Sequence, residues 1–125
     1  MNNDNNTYNG WTNRQTWLVN LWMTNDGTSS SMMTDWARVA IRQNDATQED
    51  TYWRDEAVNH MAKDMETHFQ YNAPDVGGLY ADLLNASLAL VNWREIAECW
   101  VDDELQEMRA DVTISDEERA NGLKI

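Results

Sequence analysis

The sequence predicts a small all-α domain of about five helices, with at most one short C-terminal strand. Apolar residues recur every three or four positions in five separate segments, the spacing of helices that bury one face. Capping residues precede most of these segments, and Gly, Asn or Pro separates them. The chain has 125 residues, 42% of them hydrophobic, enough for one domain with one core.

Residues 1–9 are polar and Asn-rich and are expected to fray, leaving 10–125 as a single domain. The first helix is expected near Thr12, where Thr12-Asn13-Arg14-Gln15 has the form of a capping box. Trp17, Leu18, Leu21 and Trp22 form its apolar stripe, and Gly27 is its expected left-handed stop. Ser29-Ser30-Ser31 offers the next cap, for a helix carrying Met32, Met33, Trp36, Val39 and Ala40 and ending near Gln43. Thr47 is the expected cap of a third helix, whose Trp53, Ala57, Met61, Met65 and Phe69 step by four until Pro74 approaches. After the break at Asp75-Val76-Gly77-Gly78, a fourth helix runs to about Leu90, with Leu79, Leu83, Leu84, Leu88 and Val91 as core candidates. Asn92, with Glu95 three residues on, caps a fifth helix bearing Ile96, Ala97, Trp100, Val101, Leu105 and Met108. Val112-Thr113-Ile114 is the one candidate strand, and Ser115 opens a further short S-x-x-E segment.

The charge is lopsided: nine Lys+Arg against 22 Asp+Glu, a formal net charge of -13. Direct binding of nucleic acid needs basic groups to displace phosphate counterions, so this balance argues against it, and against anionic membranes too. Solubility or salt adaptation would also explain the acidity. The single cysteine, Cys99, allows no internal disulfide, which fits a reducing cytoplasmic compartment. The start of the chain has no basic and apolar signal pattern, and no apolar run reaches the length of a membrane span.

Residues for catalysis are scarce. The histidines, His60 and His68, lie eight apart on the third helix with Asp64 midway. The outer pair would stand ~12 Å apart at the helical rise, awkward for one metal, so two surface histidines are the simpler reading. Cys99 sits among carboxylates that should raise its thiol pKa, which marks a packed residue rather than a nucleophile. There is no HExxH, CxxC, P-loop or GxGxxG, so no catalytic, metal or cofactor residue is named. Of the seven tryptophans, Trp17, Trp36, Trp53 and Trp100 read as core, and Trp11 as a staple beside Tyr8. Trp22 and Trp93, near helix ends, are placed to anchor a partner.

The acids cluster. Glu95, Glu98, Asp102, Asp103, Glu104, Glu107 and Asp111 crowd the fifth helix, and Glu49, Asp50, Asp55 and Glu56 open the third. Like charges three or four apart repel, so a helix seeking only stability would interleave lysine. They lie ~5–6 Å apart on a helix, and a duplex carries one phosphate per ~3.4 Å of its axis on each strand. Two such helices side by side would imitate a double row of phosphates, a surface that fits a basic groove. A solvated face without a partner is the alternative.

Two stretches carry a resemblance. They are Tyr8-Asn9-Gly10-Trp11-Thr12-Asn13 with Thr16-Trp17-Leu18-Val19-Asn20-Leu21-Trp22, and Tyr80-Ala81-Asp82-Leu83-Leu84-Asn85-Ala86 running on to Val91-Asn92-Trp93-Arg94-Glu95-Ile96-Ala97. The chain resembles a family of small uncharacterised acidic proteins carried by phages, plasmids and archaeal mobile elements, over the first helix and the last two. The resemblance implies a mobile-element context and brings no catalytic residue with it. In size, acidity and helicity the chain is also similar to phage anti-restriction proteins that mimic DNA. The expected function is inhibition of a host restriction or CRISPR complex, with the acids above contacting a basic protein or nucleoprotein. A non-catalytic oligomeric adaptor using exposed Trp and Met, as a homodimer for example, is the alternative.

Overall fold

The computed structural model describes residues 7–48 and 50–122, with side chains described up to residue 110. Among these residues five helices run in order: α1 Arg14–Asn25, α2 Gly27–Gln43, α3 Thr51–Tyr71, α4 Gly78–Leu90 and α5 Trp93–Gly122. The fold is all-α. The only β contact among the described residues is an isolated bridge between Tyr8 and Trp11.

The core is a three-helix centre. α3 packs along α5, and α2 lies against both. Met33, Ala37, Ala40 and Ile41 from α2, Ala57, Val58, Met61 and Met65 from α3, and Ile96, Ala97, Val101 and Leu105 from α5 are buried together. The alanines let the backbones approach, and the unbranched methionines fill the irregular space that results. Each fully buried Met, Ile or Val contributes about 1.5–3 kcal/mol. The i+4 stripe expected on α3 is the one that packs, with Val58 added beside it. Phe69 stacks on Trp93, centroids 5.5 Å apart, so Trp93 is buried and is no partner anchor.

Several helix starts differ from expectation by a few residues. Asn13, not Thr12, caps α1, accepting the Thr16 N–H at 2.8 Å. Asp26 caps α2 in place of the serines, accepting from the Ser29 N–H and hydroxyl, and Gly27 opens that helix instead of closing α1. Asp50 replaces Thr47 as the cap of α3. At α1 and α3 the Asn or Asp lies closer to the first turn than the hydroxyl residue, at α2 the serines lie within that turn, and Asn and Asp cap at least as well as Ser or Thr. Tyr8 and Asn9 do not belong to a fraying start. Tyr8 and Trp11 exchange two backbone hydrogen bonds of 2.8 Å around Asn9 and Gly10, whose φ values of 49° and 87° are those of a tight left-handed turn. The Tyr8 ring then meets Trp17 edge-on at 5.0 Å.

Burial departs from expectation on α1, α2 and α4, and α5 is longer than expected. α1 buries Thr16 and Met23, not the predicted stripe, and Leu18, Leu21 and Trp22 are exposed. On α2, Val39 is likewise exposed. α4 buries none of its own residues: Leu79 and Leu83 face water, Leu84 and Leu88 are half-buried, and only Val91, just past its end, joins the core. α5 continues through Val112–Ile114 and Ser115, where a strand and a new segment were expected. No Gly or Pro interrupts residues 93–121. A lone strand would leave its backbone groups unpaired, whereas the helix satisfies them internally.

Candidate partner-binding surface

The acidic residues singled out on α5 do not form one open row. Glu98 and Asp102 turn toward α3, where Arg54 holds Asp102 through Nε and Nη2 at 2.9 and 2.8 Å and approaches Glu98 at 3.5 Å. Arg94 spans Glu98 at 3.2 Å and Asp55 at 3.4 Å and also donates to Asn59. Asp55 accepts from Arg54 at 2.9 Å as well, so two guanidinium groups sit among three carboxylates. These groups hold the Arg54 pKa above its ordinary value, the hydrogen bond to Asp102 contributing most. Glu104 is buried and bonded to Arg38 of α2, which is likewise shifted up by that carboxylate. Glu95 accepts the Thr12 N–H on both oxygens, at 3.0 and 3.2 Å. Asp103 and Glu107 are exposed and take no part in these pairs. In the second group, Asp50 caps α3 and Glu56 is exposed. Glu49 and the side chain of Asp111 lie outside the described residues.

Glu95 belongs to a polar clasp that joins the two stretches of the family resemblance. Asn13 Nδ2 donates to the Leu90 carbonyl at 2.6 Å, and the Asn92 N–H donates to the buried Thr16 hydroxyl at 2.9 Å. Asn92 Nδ2 donates to Thr12 Oγ1 at 3.3 Å, and the Glu95 N–H donates to Asn92 Oδ1 at 3.1 Å. The clasp fixes the start of α1 against the junction of α4 and α5.

What the clasp holds in place is an apolar layer. Leu79, Tyr80, Leu83 and Leu90 of α4 are 69%, 70%, 56% and 54% exposed, and Trp22 of α1 is 66% exposed. Leu79, Leu83 and Leu90 step by four and seven, so they share one face of α4. Between the helices runs a groove of about 400 Å³, lined by Arg14, Leu18, Val19, Leu84 and Leu88 among others. The two helices carry one charged residue each, Arg14 and Asp82, and are together neutral. Sequence reasoning placed Leu79, Leu83, Leu84 and Leu88 in the core. The scarcity of charge on α1 and α4, in a chain of net charge -13, was the available signal for a different role.

The titratable candidates are engaged separately. Asn44 Nδ2 lies 2.9 Å from His60 Nδ1, and His60 Nε2 lies 3.3 Å from Asp64. His68 packs edge-on against Trp36 and Phe69 and does not join His60. Among the described residues no three His, Cys, Asp or Glu side chains are grouped to hold a metal. The Cys99 thiol is pushed up, first by partial desolvation and then by Asp103, Glu95, Asp102 and Glu98. A more polar cleft of about 600 Å³ beside Arg54 is lined by Asp50, Asp102, Gln106 and Arg109. No helix among the described residues is long and apolar enough to cross a membrane.

A family model described as "Family of unknown function (DUF7249)" matches residues 4–118. The chain belongs to this family. Both halves of the clasp fall within the matched span of this DUF7249 member, so what its resemblance motifs build is a joint between helices. No curated protein and no solved structure matches the chain.

Proposed function

We propose that the chain is a non-catalytic, cytoplasmic interaction module that engages a protein partner through the α1–α4 layer. The observation that carries this reading is the bare face of α4: a helix of 13 residues with three exposed leucines in register and none of its residues buried. An exposed apolar patch of several side chains marks an interaction site far more often than an accident of composition. The surrounding acidity disfavours nucleic acid and anionic membranes, which supports a protein partner.

A second reading is the acidic decoy, in which a basic nucleic-acid-binding groove of a host restriction or CRISPR complex accepts the carboxylates. The net charge of -13 and the exposed Asp103 and Glu107 favour it. It has less geometric support, because arginines or backbone donors occupy Glu95, Glu98, Asp102 and Glu104. The mobile-element context implied by the resemblance suits either reading.

A photo-crosslinking residue placed at position 83 or at position 107, in the producing cell, separates the two. The layer reading expects protein adducts from position 83. Adducts from position 107 alone would transfer the function to the acidic face.

A further inference from the structure

We infer that Asn9-Gly10 is a site of spontaneous covalent modification: the Asn9 side-chain amide closes on the Gly10 nitrogen, and hydrolysis then leaves aspartate or isoaspartate at position 9.

The residue pair is the first argument. Cyclisation needs the backbone nitrogen after an asparagine to reach the side-chain carbonyl carbon, and a side chain on the following residue obstructs that approach. Gly10 has none, and beyond its chain neighbours nothing lies within 4 Å of where a Cβ would stand. Asn9 and Gly10 are both exposed, so water can reach the ring once it forms.

The turn is the second. Its two closing hydrogen bonds run between Tyr8 and Trp11, on either side of the pair. Among the described residues, neither the Asn9 side chain nor the Gly10 N–H is hydrogen-bonded. Asn9 has a φ of 49°, a region uncommon for residues with a side chain, so rotation out of it gives up little. Asn13 makes the contrast. Its Oδ1 accepts from Thr16, its Nδ2 donates to the Leu90 carbonyl, and Arg14 follows it. Asn121-Gly122, the other Asn-Gly pair of the chain, lies within α5.

In the first step the Gly10 nitrogen bonds to Asn9 Cγ, the Cγ–Nδ2 bond breaks, and ammonia leaves with the Gly10 amide proton. Nothing is oxidised or reduced. Water then opens the succinimide. Attack at Cγ restores the ordinary main chain with an aspartate. Attack at the backbone carbonyl routes the main chain through Cβ and Cγ, as isoaspartate, one atom longer. Both products add a negative charge. The longer path does not fit a hairpin turn of two residues. Tyr8 is then released from Trp17 and from Arg14, whose guanidinium lies 5.9 Å from the Tyr8 ring centroid. The pair acts as a slow, one-way timer that unpins the N-terminal turn from α1.

Incubation of the full chain in mildly alkaline buffer tests this, with tryptic mapping by fragmentation mass spectrometry and labelling by a protein isoaspartate methyltransferase. Conversion at Asn9 is expected to run at least about tenfold faster than at Asn13, which lacks a following glycine. Amide exchange by NMR then reads the turn in the purified isoaspartate form. Its Tyr8 and Trp11 N–H groups should exchange faster than in the unmodified chain, whereas Asn9→Asp, which adds the charge and keeps the main chain, should stay close to wild type. The site is overturned if Asn9 survives conditions that convert a free peptide of residues 8–11, or reacts no faster than Asn13. The timer is overturned if the isoaspartate form exchanges like the unmodified chain, or if Asn9→Asp opens the turn as far.

Discussion

The Thr16 hydroxyl is fully buried, accepts the Asn92 N–H and donates to Asn13 Oδ1 at 2.6 Å. Thr16→Val keeps the shape and removes both bonds, leaving a part-buried N–H without its acceptor. The expected loss is about 1–3 kcal/mol of unfolding free energy by urea titration. A loss no larger than that of an exposed substitution would show that the clasp adds nothing. Asp26 supplies a pH-dependent counterpart. The Ser29 hydroxyl and N–H hold its carboxyl below the ordinary 3.8, so the ionised form is favoured by folding. That contribution is present above the unfolded value and is lost as pH falls through the lower folded value. Asp26→Asn should therefore flatten the acid limb of stability below about pH 4. Equal acid slopes for the two proteins would contradict it. Thr16 and Asp26 were hard to single out from sequence. Each cap had several Ser, Thr, Asn and Asp candidates within a few positions, and only the tertiary partner of each side chain decides among them.

α3 and α5 are where charge and packing meet. Arg54 binds Asp102 in bidentate fashion and also touches Asp55 and Glu98, while all three carboxylates are partly solvated. Allowing for that screening, Arg54→Met should cost on the order of 1–2 kcal/mol, and the deficit should shrink in high salt as repulsion among the freed carboxylates is screened. A melting temperature unaffected by both the substitution and salt would remove the arginine cluster from the account. The same variant separates the functional readings. It leaves Asp102 without its arginine, while Arg94 still holds Asp55 and Glu98, so a decoy should bind its basic partner more tightly, whereas docking through α1–α4 should not change. The acids of α5 were legible in the sequence as a periodic row. Their fate was not, because Arg38 and Arg54 lie 66 and 48 residues from the carboxylates they bind. On α4 the apolar spacing was legible too, but leucines occur on more than one face of the helix, and periodicity alone cannot say which face the core will take.

At the scale of the molecule, the acids of the described residues gather on α3 and α5, while α1 and α4 carry one charge of each sign and expose apolar side chains. Existence and order of the five helices followed from the 3–4 spacing and the breaks at Gly27, Asn44 and Gly77–Gly78, because each helix needs one buried stripe and a stop. The division of labour among them did not follow, since it depends on which helices are central. α2, α3 and α5 supply most of the core, with Met23 of α1 and Val91 added, which leaves α4 with α1 as its main neighbour and most of its leucines in water. The most direct test of that division is the unfolding free energy of Leu83→Asp, measured by urea titration at a concentration where the chain is monomeric. The expected value lies within about 0.5 kcal/mol of wild type, as for any exposed site. A loss approaching the ~2–5 kcal/mol expected for truncating a core residue such as Met61 would contradict it, and would return α4 to the core.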